Sequence, residues 1–211
     1  AMKSIVLRIS SIRLIISFAA VFFSAHWFAG LGWSVAGVYS AIVLATGPTV
    51  VTPLVRQIRL ASPLSDVLEA EGLILEPIGA VLALLLLELV VGDLHGWKEL
   101  LFGLLSRLGG GVLFGSIAGL LLSEGLKRLR SEPYIGIRLQ LTLGVIFLLY
   151  GVCEWLLPES GLPASVAAGF VVGQRPSTEA NELDKLIREL AQLAITMLFP
   201  LLAADVSWGE L

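Results

Sequence analysis

An all-α membrane protein of about seven transmembrane helices is the fold class this sequence predicts, and two observations lead there. Of its 211 residues, 56% are hydrophobic and 15% charged, against about 45–50% and 25% in soluble domains; mean hydropathy is +0.90. The apolar residues also come in long uninterrupted blocks. Blocks of about 18 or more read as membrane-spanning helices rather than as one oversized core.

In chain order the predicted segments are residues 14–31, 34–55, 67–91, 100–122, 139–157, 162–174 and 190–204. Lys3 and Arg8 precede the first and Arg13 interrupts it. That start resembles a signal peptide, but no small-residue cleavage site follows and further segments do, so it reads as the cytoplasmic flank of a first helix. The second contains Thr46-Gly47-Pro48-Thr49, then Thr52 and Pro53. Proline removes a backbone hydrogen bond and glycine loosens the chain, which predicts a helix broken at Thr46-Gly47-Pro48. Non-helical backbone at membrane depth faces protein or a wet cavity, and transporters use such breaks to coordinate cations through freed carbonyls and hydroxyls. A kink healed by threonine back-bonding is the alternative.

The third segment is long enough to span with tilt. In the fourth, Arg107 precedes Gly109-Gly110-Gly111, and Gly111, Gly115 and Gly119 recur at four-residue spacing, which lets helices approach closely. The fifth holds the single cysteine, Cys153, beside Glu154 and Trp155, a pattern of an interfacial carboxylate next to an interfacial tryptophan. One cysteine gives no disulfide framework. The sixth segment is only as long as re-entrant or half-crossing segments usually are. Before the seventh, Pro176-Ser177-Thr178-Glu179 and the Asp184–Arg188 pair predict an amphipathic helix on the cytoplasmic surface.

Basic residues set the orientation. With all seven segments crossing, 12 of the 14 Lys and Arg fall on one side, leaving Lys98 and Arg107 for the other. The N-terminus is therefore expected in the cytoplasm.

Function concentrates in the third segment, where Glu69, Glu71 and Glu76 enter apolar sequence. A bare acid at a helix centre costs roughly 2.5–3.5 kcal/mol by insertion scales, so each needs an ion, a counter-charge or a proton. Glu69 and Glu76 share a face, while Glu71 lies about 140° from Glu76. A buried carboxylate that trades a proton for a cation is the minimal chemistry of an antiporter; pairing to a structural arginine is the competing account of Glu76 and Glu71. Glu88 is expected to snorkel to the outer interface. His26 and His95 flank interfaces without metal-site spacing. Nothing resembles a phosphate loop, zinc spacing or a nucleophile triad, so no enzyme, no cofactor and no nucleic-acid partner is implied.

Read together, Ala45-Thr46-Gly47-Pro48-Thr49-Val50-Val51-Thr52-Pro53-Leu54-Val55-Arg56-Gln57-Ile58-Arg59 and the run from Glu69 to Ala80 resemble the bacterial sodium/proton exchanger branch of the cation:proton antiporter family. That family carries a Thr-Asp-Pro-type motif on a broken helix, then Glu-Gly-Glu-Ser-Leu-Leu-Asn-Asp-Pro on the next. The resemblance implies that Glu76 binds the transported cation and carries the proton, and that Thr46 belongs to the broken helix. It departs from the pattern at Gly47, Gly72 and Leu75, which replace an aspartate, a serine and an asparagine. Glu71 falls on the glutamate that pairs with an arginine from a later helix. The chain matches a central block of the family's helices, so Glu71 is expected to lie buried without that partner.

The reading is thus a single membrane domain over residues 1–211, part of a secondary active transporter in a plasma membrane. It exchanges Na⁺ or K⁺ for H⁺ by alternating access at Glu76 and Thr46. Glu71, Glu69, Thr49, Gly47 and Pro48 support the site. The implied partners are the cation and proton, the lipid bilayer, and missing helices of a longer chain or a homodimer partner. A truncated, non-transporting membrane relic or interaction protein of the same fold is the alternative.

Overall fold

The computed structural model describes residues 2–45, 58, 62–92, 96–129, 135–174 and 180–205. Among them run α1 (Met2–Trp27), α2 (Trp33–Leu44), α3 (Ser62–Val91), α4 (Trp97–Arg128), α5 (Ile135–Leu156), α6 (Gly161–Gly173) and α7 (Ala180–Asp205), with no strand among the described residues. Val67–Val91, Trp97–Arg128 and Gly136–Leu156 are long and apolar enough to cross a membrane; Ile12–Trp27, α2 and α6 are apolar but shorter. At 1.5 Å per residue α6 makes about 20 Å of a hydrocarbon core of about 30 Å. The full crossing expected of 162–174 is therefore longer than this helix reaches along its own axis.

Three boundaries differ most from the sequence expectation. Helix α1 begins at Met2, not residue 14, so Arg13 lies inside a helix rather than in a flank. Helix α2 stops at Leu44, where Ala45 leaves helical geometry at φ −71°, ψ 59°. That end precedes the predicted break; the rest of segment 34–55 lies outside the described residues. The surface helix and the seventh segment form one helix, Ala180–Asp205. No glycine or proline occurs from 180 to 199, so nothing in the backbone separates the charged half from the apolar half. Pro200 is carried inside that helix.

The α1–α2 turn is made by Gly30 at φ +67°, a left-handed conformation that costs glycine little. Across it the His26 ring stacks on Trp33 with centroids 3.6 Å apart, and its Nδ1 donates to the Leu31 carbonyl at 2.7 Å. Phe22, Phe23 and Trp27 extend this aromatic group, as expected of a membrane interface.

Glycine sets the closest helix contacts. A methyl placed on Gly111 would stand 2.7 Å from the Pro163 ring, and one on Gly119 2.8 Å from the Ala168 carbonyl. On Gly115 it would collide with the Ala164 carbonyl. The predicted glycine stripe thus lies along the backbone of α6. Leu149 and Cys153 of α5 close the other side of Ala164 and Ala168. A second core joins α3 to α4 through Val81, Leu85 and Leu100, with Gly103 against Leu85.

Gly115→Ala is expected to cost about 1–3 kcal/mol by overpacking and to lower the thermal midpoint in detergent. Gly109, with nothing within 4 Å of an added methyl, tests the specificity: Gly109→Ala should be neutral or slightly stabilising through helix propensity.

Candidate functional site

The run from Glu69 to Gly79 occupies the interior of α3. Its apolar and small residues face the neighbouring helices: Gly72, Leu75, Pro77 and Gly79 are buried, Leu75 to 2% exposure. Pro77 is carried within the helix, where it removes the N–H that would bond the Leu73 carbonyl. Glu69 and Glu76 are half-buried, and Glu71 is buried at 4%. Glu69 stands about 10 Å down the axis from Glu76 and Glu71 about 7.5 Å, so one ion cannot bridge them. Among the described residues no three acid, histidine or cysteine side chains converge to hold a metal ion. A cation at Glu76 would take its other ligands from hydroxyls, carbonyls or water.

Helix α2 ends beside this acid. A methyl on Gly79 would lie 2.8 Å from the Ala45 Cβ and 2.9 Å from its backbone nitrogen. Gly79 is three residues beyond Glu76, hence on the same helix surface. The C-terminal end of α2 therefore abuts α3 within one turn of Glu76, because position 79 has no side chain to hold it away. Thr46, Gly47, Pro48 and Thr49 lie outside the described residues.

Glu71 does not lack a counter-charge, contrary to the sequence expectation. Arg13 Nη1 donates to its Oε2 at 2.7 Å, with the glutamate side chain 5% exposed and the arginine 48%. The partner comes from α1, which precedes the site, rather than from a later helix. A charge-assisted bond of this length is among the stronger single contacts available, and it joins α1 to α3. The other oxygen, Oε1, is buried without a hydrogen-bond partner among the described residues.

Glu88 keeps partial exposure and is also paired. Arg107 Nη2 donates to both of its oxygens, at 2.9 and 3.1 Å, bracing α3 against α4. The sequence does not single out Glu88, because its segment also carries Glu69, Glu71 and Glu76; only Arg107 is alone in its own apolar segment. Glu154 closes a turn: its Oε1 accepts the Glu159 N–H at 2.8 Å. His95 falls outside the described residues.

The protein-family model described as "Sodium/hydrogen exchanger, transmembrane" matches residues 1–211. The chain is also 25% identical over 181 residues to the probable Na(+)/H(+) antiporter 2 of Methanocaldococcus jannaschii, covering 80% of this chain and 42% of that protein. The chain thus spans less than half the length of this curated relative. No solved structure matches it. The full-length family match, on an all-helical chain with three membrane-length helices, makes this chain a member of the transmembrane sodium/hydrogen exchanger family.

Proposed function

We propose that this chain forms the cation-handling part of a monovalent cation/proton antiporter, with Glu76 as the group that binds Na⁺ or K⁺ in one half-cycle and H⁺ in the other. One observation carries the reading. A half-buried carboxylate stands on a membrane-length helix within one turn of the point where a second helix ends against Gly79. Next in sequence after Ala45, the residue against Gly79, is Thr46, whose hydroxyl and backbone carbonyl are chemically suited to complete a cation's shell. Transport follows alternating access: Glu76 crosses when it carries a cation or a proton, and the bare carboxylate does not, because desolvating it is costly. Thr49, Gly47, Pro48 and Glu69 take supporting roles in this reading.

Glu71 is the structural member of the acid trio, tied to Arg13 rather than exchanging ions. The bias of basic residues supports a cytoplasmic N-terminus, the membrane being taken as a plasma membrane, and the family relative's greater length supports further helices or a second copy around the site. A non-transporting relic is favoured by one detail: Leu75, where the resemblance expects asparagine, is 2% exposed and offers no polar atom. Transport assays separate the two.

In the full-length protein, Glu76→Gln should abolish cation-induced ΔpH in everted vesicles, whereas Glu76→Asp, which keeps the carboxylate, should retain it. Exchange undiminished by Glu76→Gln would remove this residue from the carrier role. Loss of Arg13 leaves Glu71 buried and uncompensated, a penalty of about 1–3 kcal/mol. Arg13→Gln should therefore lower the thermal midpoint, and Arg13→Gln combined with Glu71→Gln should recover part of it, as a double-mutant cycle in detergent melts would show.

A further inference from the structure

A second group of charges lies about 18 Å along α3 from Glu76, and nothing in the proposed exchange uses it. Arg107 spends Nη2 on Glu88, yet its Nη1 is buried with no hydrogen-bond partner among the described residues. On α5, Glu154 gives Oε1 to the Glu159 N–H, and its Oε2 is likewise buried and unpaired among them. The orphan carboxylate oxygen lies at the α5–α6 turn, 3.1 Å from where a methyl on Gly161 would stand, so a buried acceptor there and a buried guanidinium donor on α4 are each one bond short.

Glu159 connects them. It lies in the turn between α5 and α6 with φ +64°, a left-handed backbone that a glutamate adopts only when its surroundings impose it. The surroundings do so on two sides. Ser160 is fully buried and its Oγ donates to the Cys153 carbonyl at 2.9 Å, strapping the turn to α5. A methyl on Gly110 would stand 3.0 Å from a Leu157 methyl, and one on Gly111 2.7 Å from the Ser160 carbonyl. The turn thus rests on α4 one helical turn beyond Arg107. Burial pushes the Glu159 carboxyl above the ordinary carboxylate range, the Glu154 carboxylate pushes it further, and Arg107 draws it part of the way back. The other charged or titratable groups on the elements around this region are Glu88 on α3, Lys98 and Glu99 on α4, and Tyr150 and Cys153 on α5.

We propose that Arg107 is the shared counter-charge of Glu88, Glu154 and Glu159, and that a proton on Glu159 sets how firmly the α5–α6 turn is seated on α4. With Glu159 protonated, Glu154 caps the turn unopposed and Arg107 stays with Glu88. With Glu159 ionised, two carboxylates crowd one turn and compete with Glu88 for Arg107. Because the folded protein holds this carboxyl above its free value, the stabilisation is present below the ordinary carboxylate range. It is lost as pH rises through the raised value. Glu88 stands on the helix that carries Glu76, so the seat is mechanically joined to α3, but the inference does not depend on any role for Glu76.

Hydrogen–deuterium exchange of the full-length protein in lipid nanodiscs, corrected for intrinsic rates, reads the seat directly in peptides covering residues 157–164. In the unmodified protein, exchange there should rise several-fold from acidic to neutral pH while the α1–α2 turn stays unchanged. Glu159→Gln should remove the step and keep the acid-like protection at both pH values. An absent step in the unmodified protein, or one that survives Glu159→Gln, overturns the proposal. Glu88→Gln provides a second arm that leaves the turn's own residues intact: it releases Arg107, so protection of 157–164 at neutral pH should increase. Unchanged or reduced protection in that variant would show that Arg107 is not shared.

Discussion

Charge that cannot reach water has to be matched inside the bundle, and this requirement orders the helices more than any single apolar contact does. Arg13 meets Glu71 between α1 and α3, and Arg107 meets Glu88 between α3 and α4. Both pairs therefore converge on α3, one toward each end of its membrane-length stretch. At low effective dielectric such pairs hold their geometry because parting them exposes two uncompensated ions to hydrocarbon. Between the two pairs, Glu76 has no arginine or lysine partner among the described residues. The helix is pinned at two places and carries Glu76 in the interval.

Glycine contacts supply the complementary constraint. They bring α6 onto α4 along the backbone, with Gly111, Gly115 and Gly119 removing the side chains that would separate them. In a membrane, where apolar burial gives little net drive for helix association, dispersion at such close range is the main source of cohesion. It also explains how a helix of only 13 residues is held firmly: its contact is intimate rather than long.

Much of this is legible in the sequence, and the residues show why the rest is not. The third segment falls at its observed apolar bounds, 67–91, because a long apolar run leaves no competing interpretation. The glycine stripe is readable for the same reason, since spacing on one helix is a local property. The role of Arg13 escapes sequence because it depends on a partner 58 residues away. Hydrophobic patterning assigns depth along one helix without saying which helices are neighbours. The pairing of Glu88 with Arg107 is hidden on the same ground. In the last helix, the change from charged to apolar sequence near residue 190 suggests a boundary that the chain does not need, because helix-favouring residues continue through it.

Gly79 contributes no charge, no hydroxyl and no apolar surface, yet the proximity of α2 to Glu76 depends on it. Its close neighbours include main chain, the nitrogen and Cα of Ala45, which cannot rotate aside as a side-chain tip could. Saturation mutagenesis would consequently find position 79 as intolerant as a ligand position, for a reason unrelated to chemistry. Part of the geometry around Glu76 is encoded by an atom that is missing.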